Sequence, residues 1–388
     1  MTPAARYAAA IDVLDAIFAG APAERVLTGW ARANRYAGSK DRAAVRDHVY
    51  DVLRARRTLA ATGGGADGRA AILGLLRRDG PPPEAVFGAG GYAPSALTPE
   101  ERASGTVPDN PAEAADLPDW LWPAWQESLG DRAAEIAALM RERAPITLRV
   151  ALRNGSRAKA QAALAADGIE TEALDAVETA LRVTANPRRV ATSTAYREGL
   201  VELQDAASQQ AMVRLAPFAG PRVLDYCAGG GGKSLALADL LGQPIQAHDA
   251  DADRMADLPA RAARAGVQIE RLATADLPGA APFDLVLCDA PCSGSGTWRR
   301  TPDAKWRQTS ERLAELRTVQ GDILDAAATL VRPGGNLAYA TCSVLKDEND
   351  GTVADFLARH HDMAEIARFV LTPGPTQDGF FMVVFRRG

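Results

Sequence analysis

The chain has 388 residues, 47% of them hydrophobic, with 44 Lys/Arg against 49 Asp/Glu and a net charge of −5. That length allows two or three domains with a substantial core, and the balance is that of a soluble globular protein. No run of eighteen apolar residues occurs, which argues against a membrane span, and four cysteines confined to the second half do not make a secreted disulfide framework.

The N-terminal stretch MTPAARYAAAIDVLDAIFAG places Asp12 and Asp15 among its apolar residues, the pattern of an amphipathic helix and not of a signal peptide, so the cytoplasm is expected. Residues 1–62 carry ten Lys/Arg against six Asp/Glu, whereas 63–117 carry four against eight. A basic first segment suits a polyanion, and a solvated helical surface explains it equally well. Apolar spacing predicts helices over 4–61, with Ser39 as an N-cap, and a further helix RAAILGLLRRDG that ends at Gly80. Residues 80–118 are rich in Pro and Gly and read as a boundary. From 118 a helical stretch leads into ITLRVAL, the helix SRAKAQAALAADG and β-like pieces around ALRVTA and GLVELQD, a small α+β module ending near Asp205. Another helix is expected over 206–216.

The remainder alternates apolar strands with helices: RVLDYC (222–227), IQAHD (245–249), IERL (269–272), FDLVLCD (283–289) and NLAYATC (336–342), with GFFMVVFRR as a last strand. Apolar strands separated by helices imply a doubly wound α/β sheet covered on both faces, with ligands beyond the carboxyl ends of the strands.

The turn VLDYCAGGGGKS joins the first strand to its helix, where glycines admit a close ligand and the helix start offers free N–H groups. A P-loop would put Gly six residues before Lys233, but Cys227 stands there. A nucleoside-cofactor turn instead predicts an acid at the end of the second strand, roughly 20 residues on, to meet ribose hydroxyls. Asp249 fills that place, and Asp276 ends the third strand, where a base amine could be read. Cys288 lies inside a strand and reads as core. The cysteines and the four histidines do not combine at zinc spacings, so no metal is expected.

With these residues the chain resembles the Sun/RsmB/Nop family of S-adenosylmethionine-dependent RNA cytosine-5 methyltransferases. The resemblance rests on LQDAASQ, LDYCAGGGGKS, DAPCSGSG, GTWRRTPDAKWR and YATCSVLKDEN, across roughly 200–360. It implies three parts: a NusB-like all-α domain over 1–115, a small α+β RNA-contacting module over 116–205 and a Rossmann-like class I methyltransferase domain over 206–388. S-adenosylmethionine is then expected at Cys227, Ala228, Gly229, Gly230, Gly231, Gly232, Lys233, Asp249, Asp276 and Asp289. The family loop usually reads Cys-Ala-Ala-Pro-Gly-Gly-Lys, whereas here Gly229 and Gly230 replace Ala and Pro. A more flexible loop costs preorganisation.

Carbon 5 of cytosine is a weak nucleophile, and a thiolate added to carbon 6 makes the ring enamine-like. Cys342 ends one strand while Asp289 and Cys292 lie at the end of another; if those strands are neighbours, all three converge on one ring. Spacing leaves open which cysteine attacks. The resemblance assigns attack to Cys342 of the Thr-Cys pair, product release to Cys292 and a ring contact to Asp289. The segment TWRRTPDAKWR interleaves Trp298 and Trp306 with Arg299, Arg300, Lys305 and Arg307, which suits phosphates and unstacked bases or, alternatively, a charged loop over the site. The expected partner is RNA, small-subunit ribosomal RNA first and transfer RNA second, and the expected state a monomer. A P-loop NTPase and a catalytically inactive RNA-binding assembly factor are the competing readings.

Overall fold

A computed structural model describes residues 1–388. They form two compact units, one of Met1–Arg143 with Trp298–Ser310 and one of Ala144–Thr297 with Glu311–Gly388.

The first unit is helical. Helices Pro3–Phe18, Ala23–Ala33, Ser39–Arg54, Arg56–Gly63 and Gly68–Asp79 bury Leu14, Val45, Val49, Leu53, Leu59 and Ile72, which recur at the spacing of one helix face. Ser39 is the first residue of its helix, not its cap. Gly38 takes the cap position, and its N–H donates to Asp41 Oδ2 at 3.2 Å. Residues 119–139 cluster by contact with this unit. Trp125 is the reason: it is fully buried, its indole N–H donates to the Ala133 carbonyl, and it stacks on Trp298 at 5.9 Å.

The second unit holds two sheets. The smaller contains β1 (Ile146–Val150), β2 (Glu170–Ala173), β3 (Ala180–Ala185) and β4 (Val201–Leu203), antiparallel in the order β2-β3-β1-β4. β2 reads Glu-Thr-Glu-Ala at a sheet edge, too polar to be recognised as a strand. The larger sheet contains β5 (Val223–Asp225), β6 (Ile245–Ala247), β7 (Ile269–Arg271), β8 (Phe283–Asp289), β9 (Val331–Thr341), β10 (Met363–Leu371) and β11 (Phe380–Arg387), in the order β10-β11-β9-β8-β5-β6-β7. β5 to β9 are parallel, while β10 and β11 are antiparallel additions. Leu235 and Leu237 pack on one face with Leu285 and Met382; Leu324 and Phe356 pack on the other with Val286 and Phe385.

A buried ion pair, Arg149 Nη1 to Asp239 Oδ2 at 3.2 Å, ties β1 to the helix Gly232–Leu241 that follows β5. The chain runs outward from β5 through β6 to β7, then returns to β8 on the other side. The switch point, where open α/β sheets bind ligands, therefore lies between β5 and β8. No helix is long and apolar enough to cross a membrane.

Candidate active site

β5 ends at Asp225, and the glycine turn leads from there into the helix Gly232–Leu241. Gly229 and Gly231 have φ of 52° and 81°, backbone that favours glycine, and a Cβ on Gly231 would meet Leu258 Cδ1 at 2.2 Å. Beside the turn lies a cavity of about 290 Å³, lined by Gln204, Asp205, Ser208, Asp225, Cys227, Ala228, Gly229, Gly230, Gly232, Lys233, Arg254 and Asp289. Seven of the residues expected at the cofactor are thus brought together. Gly231 lies beneath the turn against Leu258 and is absent from the lining.

Asp249 and Asp276 do not line the cavity. The Asp249 carboxylate faces the turn itself: Oδ2 accepts from the Gly229 N–H at 2.8 Å, Oδ1 accepts from the Asp251 N–H at 3.0 Å, and Arg254 Nη1 stands 3.1 Å away. Asp276 sits exposed in a single 3-10 turn beyond β7. Sequence spacing locates a strand end but not the direction in which its side chain turns.

Asp225 was not expected at the site. It is fully buried; Oδ2 accepts from Ser234 Oγ at 2.6 Å, while Oδ1 has no hydrogen-bond partner in the protein. Burial, opposed only in part by that hydrogen bond, pushes its pKa up to about 7. A buried carboxylate with one unpartnered oxygen, on a residue that borders the cavity, suits a cationic ligand group, and the free N–H groups at the helix start suit an anionic one. A cofactor ending in an ammonium and a carboxylate fits both. An acid inside the buried pattern of VLDYC was the signal that could have revealed Asp225.

Lys233 Nζ lies 2.5 Å from Asp289 Oδ2. Burial opposes the lysine charge, but Asp289 outweighs it and holds the lysine pKa above its ordinary value. Asp289 closes β8, which pairs in parallel with β9, opposite Ala340. The two strands are neighbours, as convergence of the cysteines requires.

Cys292 and Cys342 follow these strand ends with their sulfurs 3.4 Å apart. That is far beyond the roughly 2.05 Å of a disulfide, and both are free thiols. The pair is unequal. A hydrogen bond from the Cys292 thiol lowers the Cys342 pKa, helped by Lys233 and by the Thr297 hydroxyl 4.0 Å away, against burial and the Asp289 charge. The same hydrogen bond, followed by burial, raises Cys292 well above the ordinary thiol range. Cys342 is the sulfur that ionises first. Cys288 is fully buried within β8, and burial raises its pKa.

The basic segment packs within the helical unit. Arg299 and Lys305 are each 1% exposed, so they do not form the basic surface expected from TWRRTPDAKWR. Lys305 Nζ donates to the Arg54 carbonyl and lies 4.6 Å from the Trp306 ring, and burial lowers its pKa to about 8. Trp306 donates to the Leu53 carbonyl at 2.6 Å, and Arg54 Nε donates to the Arg299 carbonyl at 2.9 Å. Arg300 is half-buried and Arg307 is exposed. Interleaved aromatics made this stretch look like a nucleic-acid contact, but here they anchor it to helices.

A Rossmann-like sheet thus carries a ligand cavity at its switch point and a thiol pair at the next strand end. Comparison with known proteins gives the class, a methyltransferase domain. Residues 212–382 match the family described as 16S rRNA methyltransferase RsmB/F, and residues 117–191 match the RsmF/B-like ferredoxin-like domain. Ribosomal RNA small subunit methyltransferase B of Klebsiella pneumoniae is 36% identical over 68% of this chain and 64% of its own length. The protein of the same name from Shewanella oneidensis is 34% identical over 74% of this chain and 69% of its own. The crystal structure of PH0851, 23% identical, superposes with a TM-score of 0.74 over 100% of this chain and 99% of that one. The chain belongs to the 16S rRNA methyltransferase RsmB/F family.

Proposed function

We propose that this chain transfers a methyl group from S-adenosylmethionine to carbon 5 of a cytosine in RNA, small-subunit ribosomal RNA before transfer RNA, through a covalent bond from Cys342 to the base. The observation that carries the reading is the pair of sulfurs 3.4 Å apart, beside an Asp289–Lys233 pair that also lines the ligand cavity.

The cofactor, when bound, supplies an electrophilic methyl group. Asp225 would hold its ammonium, and the start of the helix Gly232–Leu241 its carboxylate. Cys342, as thiolate, attacks carbon 6 of the ring and raises electron density at carbon 5. Asp289 would hydrogen-bond the ring edge, with Lys233 holding it in place. Once carbon 5 carries the methyl group, its proton must leave as the carbon 6–sulfur bond breaks and the double bond returns. Cys292, touching Cys342, is the group we assign to that release: its thiol hydrogen-bonds the departing Cys342 thiolate, while the carbon 5 proton passes to water. Of the basic residues, Arg300 and Arg307 remain as candidate RNA contacts. A P-loop reading would need Lys233 on phosphates, but its ammonium is already held by Asp289.

Bisulfite sequencing of total RNA, with the gene intact, deleted and complemented by Cys342→Ala, tests this. A protected cytosine lost on deletion and not restored by the variant is the expected outcome. An unchanged bisulfite map contradicts the reading.

A further inference from the structure

The residues that follow the two cysteines meet at one buried carboxylate. Glu348 is fully buried in the π turn Asp347–Gly351. Its Oε1 accepts from the Ser293 backbone N–H at 2.7 Å and from Gln320 Nε2 at 3.1 Å. Its Oε2 accepts from the hydroxyls of Ser293 and Ser343. Ser293 directly follows Cys292, and Ser343 directly follows Cys342. Gln320 Nε2 also donates to the Pro291 carbonyl at 2.9 Å, so Cys292 is gripped on both sides. The Tyr339 hydroxyl donates to the Glu348 carbonyl at 2.6 Å and fastens the turn to β9.

Four donors converge on this carboxylate, which is what a buried one requires. A glutamine of the same size would keep one acceptor oxygen and bring an NH₂ group against two of the donors. What the acid does is bind two loops that come from different strands.

We propose that Glu348 is a positioning residue that sets the two cysteine sulfurs in contact, by tying Ser293 and Ser343 to one carboxylate. The proposal rests on the reading of Cys292 and Cys342 as the reactive pair. Its negative charge also lies on the side of Cys292. That thiol is raised by its hydrogen bond to Cys342, by burial and by the charges of Cys342 and Glu348. The tether therefore helps keep Cys292 a thiol while Cys342 ionises.

The test reads sulfur contact directly, without RNA or cofactor. Diamide takes two electrons and two protons from a pair of thiols, leaving a disulfide and a hydrazine. In the full-length protein we expect rapid closure of Cys292 to Cys342, located by peptide mass, and closure about tenfold slower or more in Glu348→Gln, since small misplacements carry large rate penalties. Closure of the variant within about twofold of the parent overturns the proposal. In methylation assays kcat should fall on the order of 100-fold, while KM for the cofactor stays within about twofold, because Glu348 is not part of the cavity. A charge role is read separately: in a Cys342→Ala background, Glu348→Gln should move the pH profile of Cys292 alkylation to lower pH, and an unmoved profile removes that part.

If Glu348→Gln does not fold, Ser343→Ala removes one tether. Closure about threefold slower supports the proposal, and an unchanged rate overturns it. Slowed closure in a protein that never methylates RNA would leave the tether standing and sink the proposed function instead.

Discussion

The turn that borders the cavity and the loops that carry the cysteines stand at the ends of adjacent parallel strands, yet they are held in different ways. Around the turn two of the braces reach in from the outside, beside the buried Asp249 carboxylate that accepts from the Gly229 N–H. Arg261 Nη1 donates to the Gly230 carbonyl, and Arg254, with 57% of its side chain exposed, pairs with Asp249. A Cβ on Gly229 or Gly230 would stand 3.0 or 3.1 Å from those guanidinium groups. The two glycines that depart from the usual family loop thus make room for two arginines. Around the cysteines the braces are buried hydroxyls, amides and the Glu348 carboxylate, with Ser295 Oγ 2.8 Å from Ser343 Oγ and accepting from the Val344 N–H. Solvent-facing charge pairs contribute little and release readily, whereas buried satisfied networks are rigid. Two of the turn's braces are of the kind that release readily, and those around the sulfurs of the kind that stay put.

The largest effect should come from the rigid side. Cys342→Ala should lower methyl transfer by on the order of 1,000-fold or more, because the covalent step has no substitute, with cofactor binding by calorimetry unchanged. Comparable rates in the variant would show that the sulfur contact is structural only. The pH dependence sharpens the same point. Since the folded pKa of Cys342 is lowered, its alkylation should rise with pH below the ordinary thiol range. Cys292→Ala removes the first cause of that lowering and should shift the profile upward.

Next comes the floor of the cavity. Folded Asp225 keeps its proton up to about pH 7, whereas the unfolded chain releases it near 3.8. Its contribution to stability is therefore full below 3.8 and falls as pH rises toward 7, by at most about 4 kcal/mol. A bound ammonium reverses this, so cofactor affinity should strengthen as pH rises through 7. Asp225→Asn should raise the melting temperature of the free protein at pH 8 and weaken cofactor binding about tenfold. A pH-independent affinity would mean that Asp225 does not meet the cation. The smallest effect belongs to the half-buried Arg261: Arg261→Ala should weaken cofactor binding about threefold, with kcat unchanged. A loss as large as that of Asp225→Asn would erase the contrast between the two regions.

Much of this was legible in the chain because apolar period and glycine placement are local signals. Strands β5, β6, β8 and β9 and the turn followed from them; the convergence of Asp289, Cys292 and Cys342 was conditional on β8 and β9 being neighbours, and they are. What escaped was decided by side-chain direction and long-range packing. β10 is an edge strand with most residues exposed, so DMAEIARFVL offers no apolar run to recognise. Asp249 sits at its strand end as expected but turns to the Gly229 amide. Arg299 and Lys305 look like phosphate contacts until Trp298 and Trp306 draw their segment into the helical unit. Glu348 lies in VLKDEN, which reads as a polar loop, and only the fold reveals four donors around it.

The most direct test of the account is to trap the bond it requires. Cys292→Ala protein, incubated with small-subunit RNA and S-adenosylmethionine and run on a denaturing gel, should give an RNA-linked band whose crosslinked peptide contains Cys342. The band should vanish when Cys342→Ala is added. No band, or one that survives in the double variant, would contradict the assignment of Cys342 as the attacking sulfur.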